Sequence, residues 1–435
     1  MPSRNYVRAL LQILIPTFGL VLSMVTPVQA ANRLHVLHRF SGKDGAFPRG
    51  ALIRDTTGSL YGTTEFGGTY DYGIVFKMTP IGGGKWVETV LHTFNIKLDG
   101  GLPSGHLVFD SAGNLYGMTL LSTNPGSCPE GCGTIFKLAP GAKGKWTATV
   151  LHTFSGNDGD GPVDGLIFDT VGNLYGATSN GGNYSQSCPY GCGTVFKLTR
   201  TAGGKSIETV LHYFGGTDGN VPAAGLIFDT SGNLYGTTLS GGNPPCSCGT
   251  VFRLARSADG KWVETVLHDF NDKDGASPAA NLIFDSVGNL YGTTAAGGAG
   301  CPPDSCGTAF KLTPGAQGKW RETVLHSFGM AGGTGPVGRL VLGAAGSLYG
   351  TTQYGGSNQS CGDTDTCGVV FKISSDGTET VLHDFSNKDG AWPLSGLTFI
   401  AGSAYGTTSE GGGDTNSCLY GCGTIFRLTL PPGKK

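Results

Sequence analysis

An all-β fold, a seven-bladed β-propeller of four-stranded antiparallel blades closed by the N-terminal strand, is what three observations in this sequence predict. The first is repetition. One stretch recurs seven times: a Gly-Leu-Ile-Phe-Asp-like run, then Asn-Leu-Tyr-Gly-Thr-Thr, then Gly-Thr-Val-Phe-Lys-Leu, then Glu-Thr-Val-Leu-His-x-Phe. Its central tyrosines, Tyr61, Tyr116, Tyr175, Tyr235, Tyr291, Tyr349 and Tyr405, lie 55, 59, 60, 56, 58 and 56 residues apart. A period of that length, read as four short strands, suits one propeller blade. The second is the make-up of the runs: Val, Ile, Thr, Phe and Tyr dominate, and no segment sustains a helical period. The third is phase. The repeat begins with a fourth-type strand (residues 35–40) and ends with a third-type strand (residues 423–428). Pairing the two closes the ring and hides the edges that an open solenoid, the rival arrangement, would expose.

The fourth copy shows how a blade is expected to form. Residues 225–229 are strand A, 233–238 strand B, 249–254 strand C and 264–270 strand D. Between A and B, Gly232 can take the positive φ of a tight hairpin, and Asp229 can accept backbone N–H groups across it. Residues 258–262, Ala-Asp-Gly-Lys-Trp, turn strand C into strand D. The pattern erodes late in the chain, where Gly343 and Ile400 occupy the place of the turn aspartate.

Residues 1–30 read as a signal peptide and 31–435 as a single propeller domain. Arg4 and Arg8 form a positive start, residues 9–25 are mostly apolar, and Val28-Gln29-Ala30 offers small residues for cleavage. A retained anchor is the rival, but Pro16 and Gly19 interrupt a run that is short for a span. No cysteine follows directly for lipidation, and the ending Pro431-Pro432-Gly433-Lys434-Lys435 carries no sorting helix. A secreted, extracellular chain without a membrane span in its mature form is therefore expected. Removing Arg4 and Arg8 takes the formal charge from −2 to −4, without the basic stripe that nucleic acid or a membrane surface would require. Glycine, 76 of 435 residues, falls at matched positions and so marks turns instead of disorder.

All twelve cysteines lie between strands B and C, one pair per blade from the second blade on: Cys128 and Cys132, Cys188 and Cys192, Cys246 and Cys248, Cys301 and Cys306, Cys361 and Cys367, Cys418 and Cys422. An even count, local pairing and export predict six short disulfides; a zinc site would need two pairs from different blades to converge. Histidines 38, 92, 152, 212, 268, 326 and 383 share one place in strand D. A sevenfold histidine reads as a structural group, each bonded to a hydroxyl or backbone group of its own blade. An Asp-Gly-x-x-Pro turn precedes strand A at Asp44, Asp99, Asp158, Asp218, Asp274 and Asp389. Asp158 and Asp160 could begin a calcium loop, but the ladder of oxygen ligands stops there, so a turn is expected and no metal or cofactor.

Taken together, the Asn-Leu-Tyr-Gly-Thr-Thr, Gly-Thr-Val-Phe-Lys-Leu and Glu-Thr-Val-Leu-His-x-Phe strings resemble the GloVer tandem-repeat proteins, an exported bacterial group often ending in varied surface anchors. The resemblance covers nearly the whole mature chain. It implies a repeat protein of the cell exterior and supplies no catalytic residues. The absence of a recognisable anchor here favours release. Strand order and turn type also look like those of NHL-type propellers, as an analogy of fold.

Function is expected where the repeat is broken. The loops from B to C and from D to A vary and should share one face, around the inner ends of the strands, while Trp86, Trp146, Trp262 and Trp320 sit in repeated turns opposite and read as packing residues. The position before the leucine of strand A is occupied by Ala51, His106, Gly165, Gly225, Asn281, Arg339 and Gly396. With Arg49 and Asp164 near in sequence, His106, Asn281 and Arg339 are candidates for the channel mouth. Phe47 and Trp392, at equivalent sites of neighbouring turns, are candidates for stacking on sugar rings, together with Phe66, Tyr184, Tyr190, Tyr354 and Tyr420. These five residues, Phe47, His106, Asn281, Arg339 and Trp392, form the predicted binding set. No catalytic motif emerges from the single-copy carboxylates Glu65, Asp71, Asp164, Asp304, Asp363, Glu410 and Asp414. The expected role is a monomeric, non-catalytic binding module for a glycan or cell-surface partner. An extracellular carbohydrate-active hydrolase or lyase and a structural envelope or matrix protein are the alternatives.

Overall fold

The computed structural model describes residues 33–430 except 124–127, 129–130, 202, 301–305, 359, 362–365 and 414–416. The expected signal peptide, Cys301, Asp304, Asp363 and Asp414 lie outside the described residues. Seven four-stranded antiparallel sheets are arranged in a ring as blades. In the fourth copy the strands are Ile227–Phe228, Leu234–Thr238, Thr250–Arg256 and Trp262–Asp269. Strand A is thus two residues where five were expected; ahead of it the Gly225 N–H donates to Asp164 of the preceding blade. In the second and third blades strand A instead runs through the proline turn, as Gly101–Phe109 and Asp160–Phe168, each with a shift of register.

Closure by the N-terminal strand holds. Arg33–Arg39 pairs antiparallel with Thr424–Thr429, placing Leu34 opposite Leu428 and Val36 opposite Phe426. Phe40, just beyond, is buried and packs edge-on against Phe76 of the first blade, with ring centroids 5.3 Å apart. The same Phe–Phe contact recurs at later seams, as Phe94 with Phe136 and Phe154 with Phe196 at 5.0 and 5.2 Å. Glycine in the Leu-Tyr-Gly-Thr-Thr strand makes room for these rings: a Cβ on Gly236 would stand 2.6 Å from Cζ of Phe252.

The A–B hairpin is built as its sequence implies. Asp229 Oδ1 accepts the N–H groups of Ser231 and Asn233, and Oδ2 accepts from the Asn233 amide and, at 3.0 Å, from the Tyr235 hydroxyl. Burial and this carboxylate together push the Tyr235 hydroxyl up to about 12. The repeated tryptophans pack as expected, each against the tyrosine of the preceding blade: Trp86 on Tyr405, Trp146 on Tyr61, Trp262 on Tyr175 and Trp320 on Tyr235.

The histidines require a correction. Their partner is neither a hydroxyl nor, in general, a backbone group; Nε2 meets the carboxylate of the Asp-Gly turn that follows. The six such pairs, His38–Asp44, His92–Asp99, His152–Asp158, His212–Asp218, His268–Asp274 and His383–Asp389, span 2.7–3.3 Å. A carboxylate is the stronger acceptor, and the turn places it six or seven residues on. Where the sixth blade lacks the aspartate, Glu379 of the next strand D takes its place at 3.2 Å from His326. Asp158 is occupied in the same way: Oδ2 meets His152 and Oδ1 accepts from the Ser155 amide and hydroxyl.

Disulfides join Cys128–Cys132, Cys188–Cys192, Cys246–Cys248, Cys361–Cys367 and Cys418–Cys422, with Cα atoms 5.1–5.4 Å apart. Beyond stiffening loops, they anchor a latch between blades. The residue before the proline of each D–A turn has a left-handed backbone in all seven copies, with φ from 54° to 63° at Phe47, Leu102, Gly161, Val221, Ser277, Gly335 and Trp392. Such φ values are costly for side-chain-bearing residues and persist only where surrounding bonds enforce them. Here the N–H donates to the carbonyl of the second cysteine of the preceding blade, as Phe47 to Cys422 (3.0 Å), Val221 to Cys192 (3.1 Å) and Trp392 to Cys367 (3.0 Å). The first blade has no cysteines, and Leu102 bonds Tyr72 instead (2.9 Å).

Candidate functional site

Each blade enters the channel through three residues ahead of the strand A leucine, and those residues line a cavity of about 460 Å³. In a strict repeat these positions would be alike in every blade; instead each polar side chain at a given position occurs in a single copy. The structure places His106, Asn281 and Arg339 in the cavity lining, with Arg49, Ser104, Asp164 and Gln353.

Two clusters face this cavity. On one side His106, Asp164 and Asn281, from the second, third and fifth blades, form a network. Nδ1 of His106 lies 3.6 Å from Oδ1 of Asp164, and Oδ2 accepts the Gly225 N–H at 2.8 Å. Glycine permits this closeness: a Cβ on Gly165 would meet the His106 ring at 2.3 Å, and one on Gly225 would meet the Asn281 amide at 2.5 Å. Asp164 itself has φ 59°, a left-handed backbone that the corresponding copies take only at Gly105. Burial works against the Asp164 charge, but the hydrogen bond and charge of His106, with bonds from Asn281 and the Gly225 amide, hold its carboxyl below the usual range. It is an anion with an acceptor surface pointing at the channel.

On the other side lie two arginines. Arg49 Nε is 2.8 Å from Oε2 of Glu65, whose side chain is nearly covered. Burial raises Glu65, opposed by Arg49, and raises Glu410 to about 7, again opposed by Arg49. Arg339 is exposed in the channel, and among the described residues no hydrogen bond or ion pair engages its guanidinium. Its neighbour in the ring is Gly396, where a Cβ would press on Arg339 at 3.0 Å.

The two aromatic members of the predicted set, Phe47 and Trp392, are not at the cavity. Phe47 packs edge-on against Phe66, and Trp392 against Tyr354, both with centroids 5.6 Å apart. Both are half-buried residues of the D–A latch, and neither lines the channel cavity. Their shared left-handed turn directs them to the loop seam, a fact of backbone conformation that residue type alone does not carry. Sequence reasoning passed over Ser104 and Gln353, although each is a single-copy polar residue at a ring or B–C position; that same signal singled out Glu65 and Glu410 without assigning them to Arg49.

The family described as Gloeobacter/Verrucomicrobia repeat matches residues 19–188 and 184–426. No curated protein matches the chain. Among solved structures, a luciferin-regenerating enzyme aligns over 92% of this chain and 96% of its own, at 14% identity and TM-score 0.41. PorZ, a bacterial surface component of the type-IX secretion system of Porphyromonas gingivalis, aligns over 91% of this chain and 48% of its own, at 14% identity and TM-score 0.46. A putative oxidoreductase (glucose dehydrogenase) from a Thermus species aligns over 92% and 100%, at 13% identity and TM-score 0.41. At such identities and scores, what those proteins do does not carry over to this chain.

Proposed function

The chain belongs to the Gloeobacter/Verrucomicrobia repeat family, and we propose that it is an exported, non-catalytic binding module whose ligand, a glycan, enters the channel mouth. One observation carries this reading: residues that break the repeat in separate blades converge on a single cavity, while the rest of each blade is kept alike. A concave site with a few converging polar groups is the usual form of a small-ligand pocket. Disulfides fit an oxidising setting outside the cytoplasm, and no helix among the described residues is long and apolar enough to cross a membrane. A glycan array probed with the mature protein tests the reading. Binding that His106→Ala and Asn281→Ala weaken, with melting unchanged, supports it; an array without hits, or hits that these variants leave intact, counts against it.

A second reading, a carbohydrate-active hydrolase, is favoured by Glu65 and Glu410. Both are single-copy, nearly covered carboxylates beside Arg49, and Glu410 at about 7 is suited to general acid work. Turnover of any array hit that Glu410→Gln abolishes, with binding retained, would replace the first reading with this one.

A further inference from the structure

We infer that the channel ligand is an acidic sugar: a carboxylate-bearing saccharide of the uronic-acid type, with its carboxylate at Arg339 and its hydroxyls on the His106–Asp164–Asn281 network. The inference rests on the binding function proposed above and specifies its substrate class. Three features of the cavity lead to it.

The first is an unmatched cation. Of the two arginines in the cavity, Arg49 already has Glu65 at 2.8 Å and Glu410 nearby. Arg339 has no such partner among the described residues, yet its planar fork is suited to a carboxylate. A guanidinium lining a concave site attracts an anion more strongly than one on a convex surface, because low-dielectric walls focus its field.

The second is that the opposite wall cannot take an anion. Asp164 is ionised there, and an anionic group set against it would be repelled. Its oxygens are acceptors, and the Asn281 amide and His106 ring supply further polar sites, a combination that suits hydroxyl groups able both to donate and to accept. The cavity is therefore bipolar: cationic at the sixth blade, anionic and hydrogen-bonding across the second to fifth. A neutral sugar would leave Arg339 unmatched, and a plain inorganic anion would leave the Asp164 side unused.

The third is size. At about 460 Å³ the cavity falls in the range of small-molecule sites and holds a monosaccharide or the end of a chain.

The test compares three probes by titration calorimetry and saturation-transfer NMR on the mature protein: methyl glucuronide, methyl glucoside and sulfate. A charge-assisted pair predicts a preference for the glucuronide over the glucoside of about ten- to hundredfold, shrinking as salt rises. Arg339→Gln should erase that preference by lowering the glucuronide affinity to the level of the glucoside; Asn281→Ala should weaken both sugars together. Arg339 is exposed, so its variant is expected to fold, and a melting curve confirms that. Equal binding of the two sugars overturns the acidic-sugar inference while sparing the glycan-binding function. Sulfate binding as tightly as the glucuronide also overturns it, reducing the site to a point cation. Failure of both sugars and of every glycan on the array removes the binding function itself, and with it this inference.

Discussion

The seams between blades and the ring at the channel mouth are built from the same repeat and obey opposite rules. At the seams each blade repeats its predecessor: a His–carboxylate contact, a Phe–Phe contact, and a cysteine carbonyl on a left-handed turn. When one member is lost, another residue replaces it, as Glu379 does for the missing aspartate of the sixth blade. At the ring the polar residues occur once each, and the neighbouring glycines make room for them. A contact that is kept sevenfold and repaired when broken serves the fold. A group present once, in a strained backbone and beside glycine that accommodates it, stands outside that repeated framework.

The largest test of that contrast is at the closing seam. Deleting residues 31–40 removes the strand that covers Thr424–Thr429 and the Phe40 contact, exposing a sheet edge. Aggregation in size-exclusion chromatography is expected; a truncated chain that stays monomeric with unchanged melting would show that closure does not depend on this strand. Next in size is the hairpin aspartate. Asp229→Ala removes four accepted bonds and leaves the Tyr235 hydroxyl without its acceptor, at a cost of about 2 kcal/mol in urea unfolding. A cost near zero would make the Gly343 and Ile400 blades the rule instead of exceptions.

Reduction comes third. Each short disulfide contributes roughly 2 kcal/mol or less in the chain-entropy account. Hydrogen exchange should therefore rise at the latch amides of Phe47, Val221 and Trp392, while Leu102, held by the cysteine-free first blade, changes least. Uniform loosening would break the link between disulfide and latch.

A smaller, pH-linked effect is repeated at the seams. Burial pushes Glu88, Glu208, Glu264 and Glu322 up to about 7 from 4.5. The folded chain therefore binds protons that the unfolded chain does not between those values, so this contribution is full below pH 4.5 and is lost as pH rises through 7. These groups are partly exposed, and solvent screening leaves on the order of 0.5 kcal/mol each. The melting temperature should fall from pH 5 to pH 8, and replacing all four by Gln should flatten that slope. The turn aspartates Asp44, Asp158, Asp218, Asp274 and Asp389 act in a separate window. Burial opposes their charge, but His and Ser or backbone donors hold them below 3.8, so their contribution is lost only as pH falls beneath that value. Smallest of all is the effect of the ring on stability: Arg339→Gln should shift unfolding by less than about 0.5 kcal/mol. A larger loss would move Arg339 from the ring to the seams.

Much of this was legible in the chain. The repeated Tyr-Gly pairs located every strand B, Gly232 and Asp229 the hairpin, and the offset of the two termini the closure, because each depends on residues within one repeat or on counting repeats. The single-copy rule pointed to His106, Asn281 and Arg339, which the structure brings to one cavity. Phe47 and Trp392 lie away from that cavity, since the turn that carries each directs it to Phe66 or Tyr354, which residue type alone does not show.

By itself, then, the sequence determined blade number, strand phase, turn chemistry and the pairing of the cysteines, all of which are set by neighbours a few residues apart or by the period of the repeat. Only the tertiary structure decided which departures from the repeat meet. Asp164 reaches the Gly225 amide across 61 residues of chain, and Asn281 approaches the same glycine from the next blade. Such contacts depend on the curvature of the ring, which brings every strand A to one axis and is a property of seven packed blades together, not of any one of them.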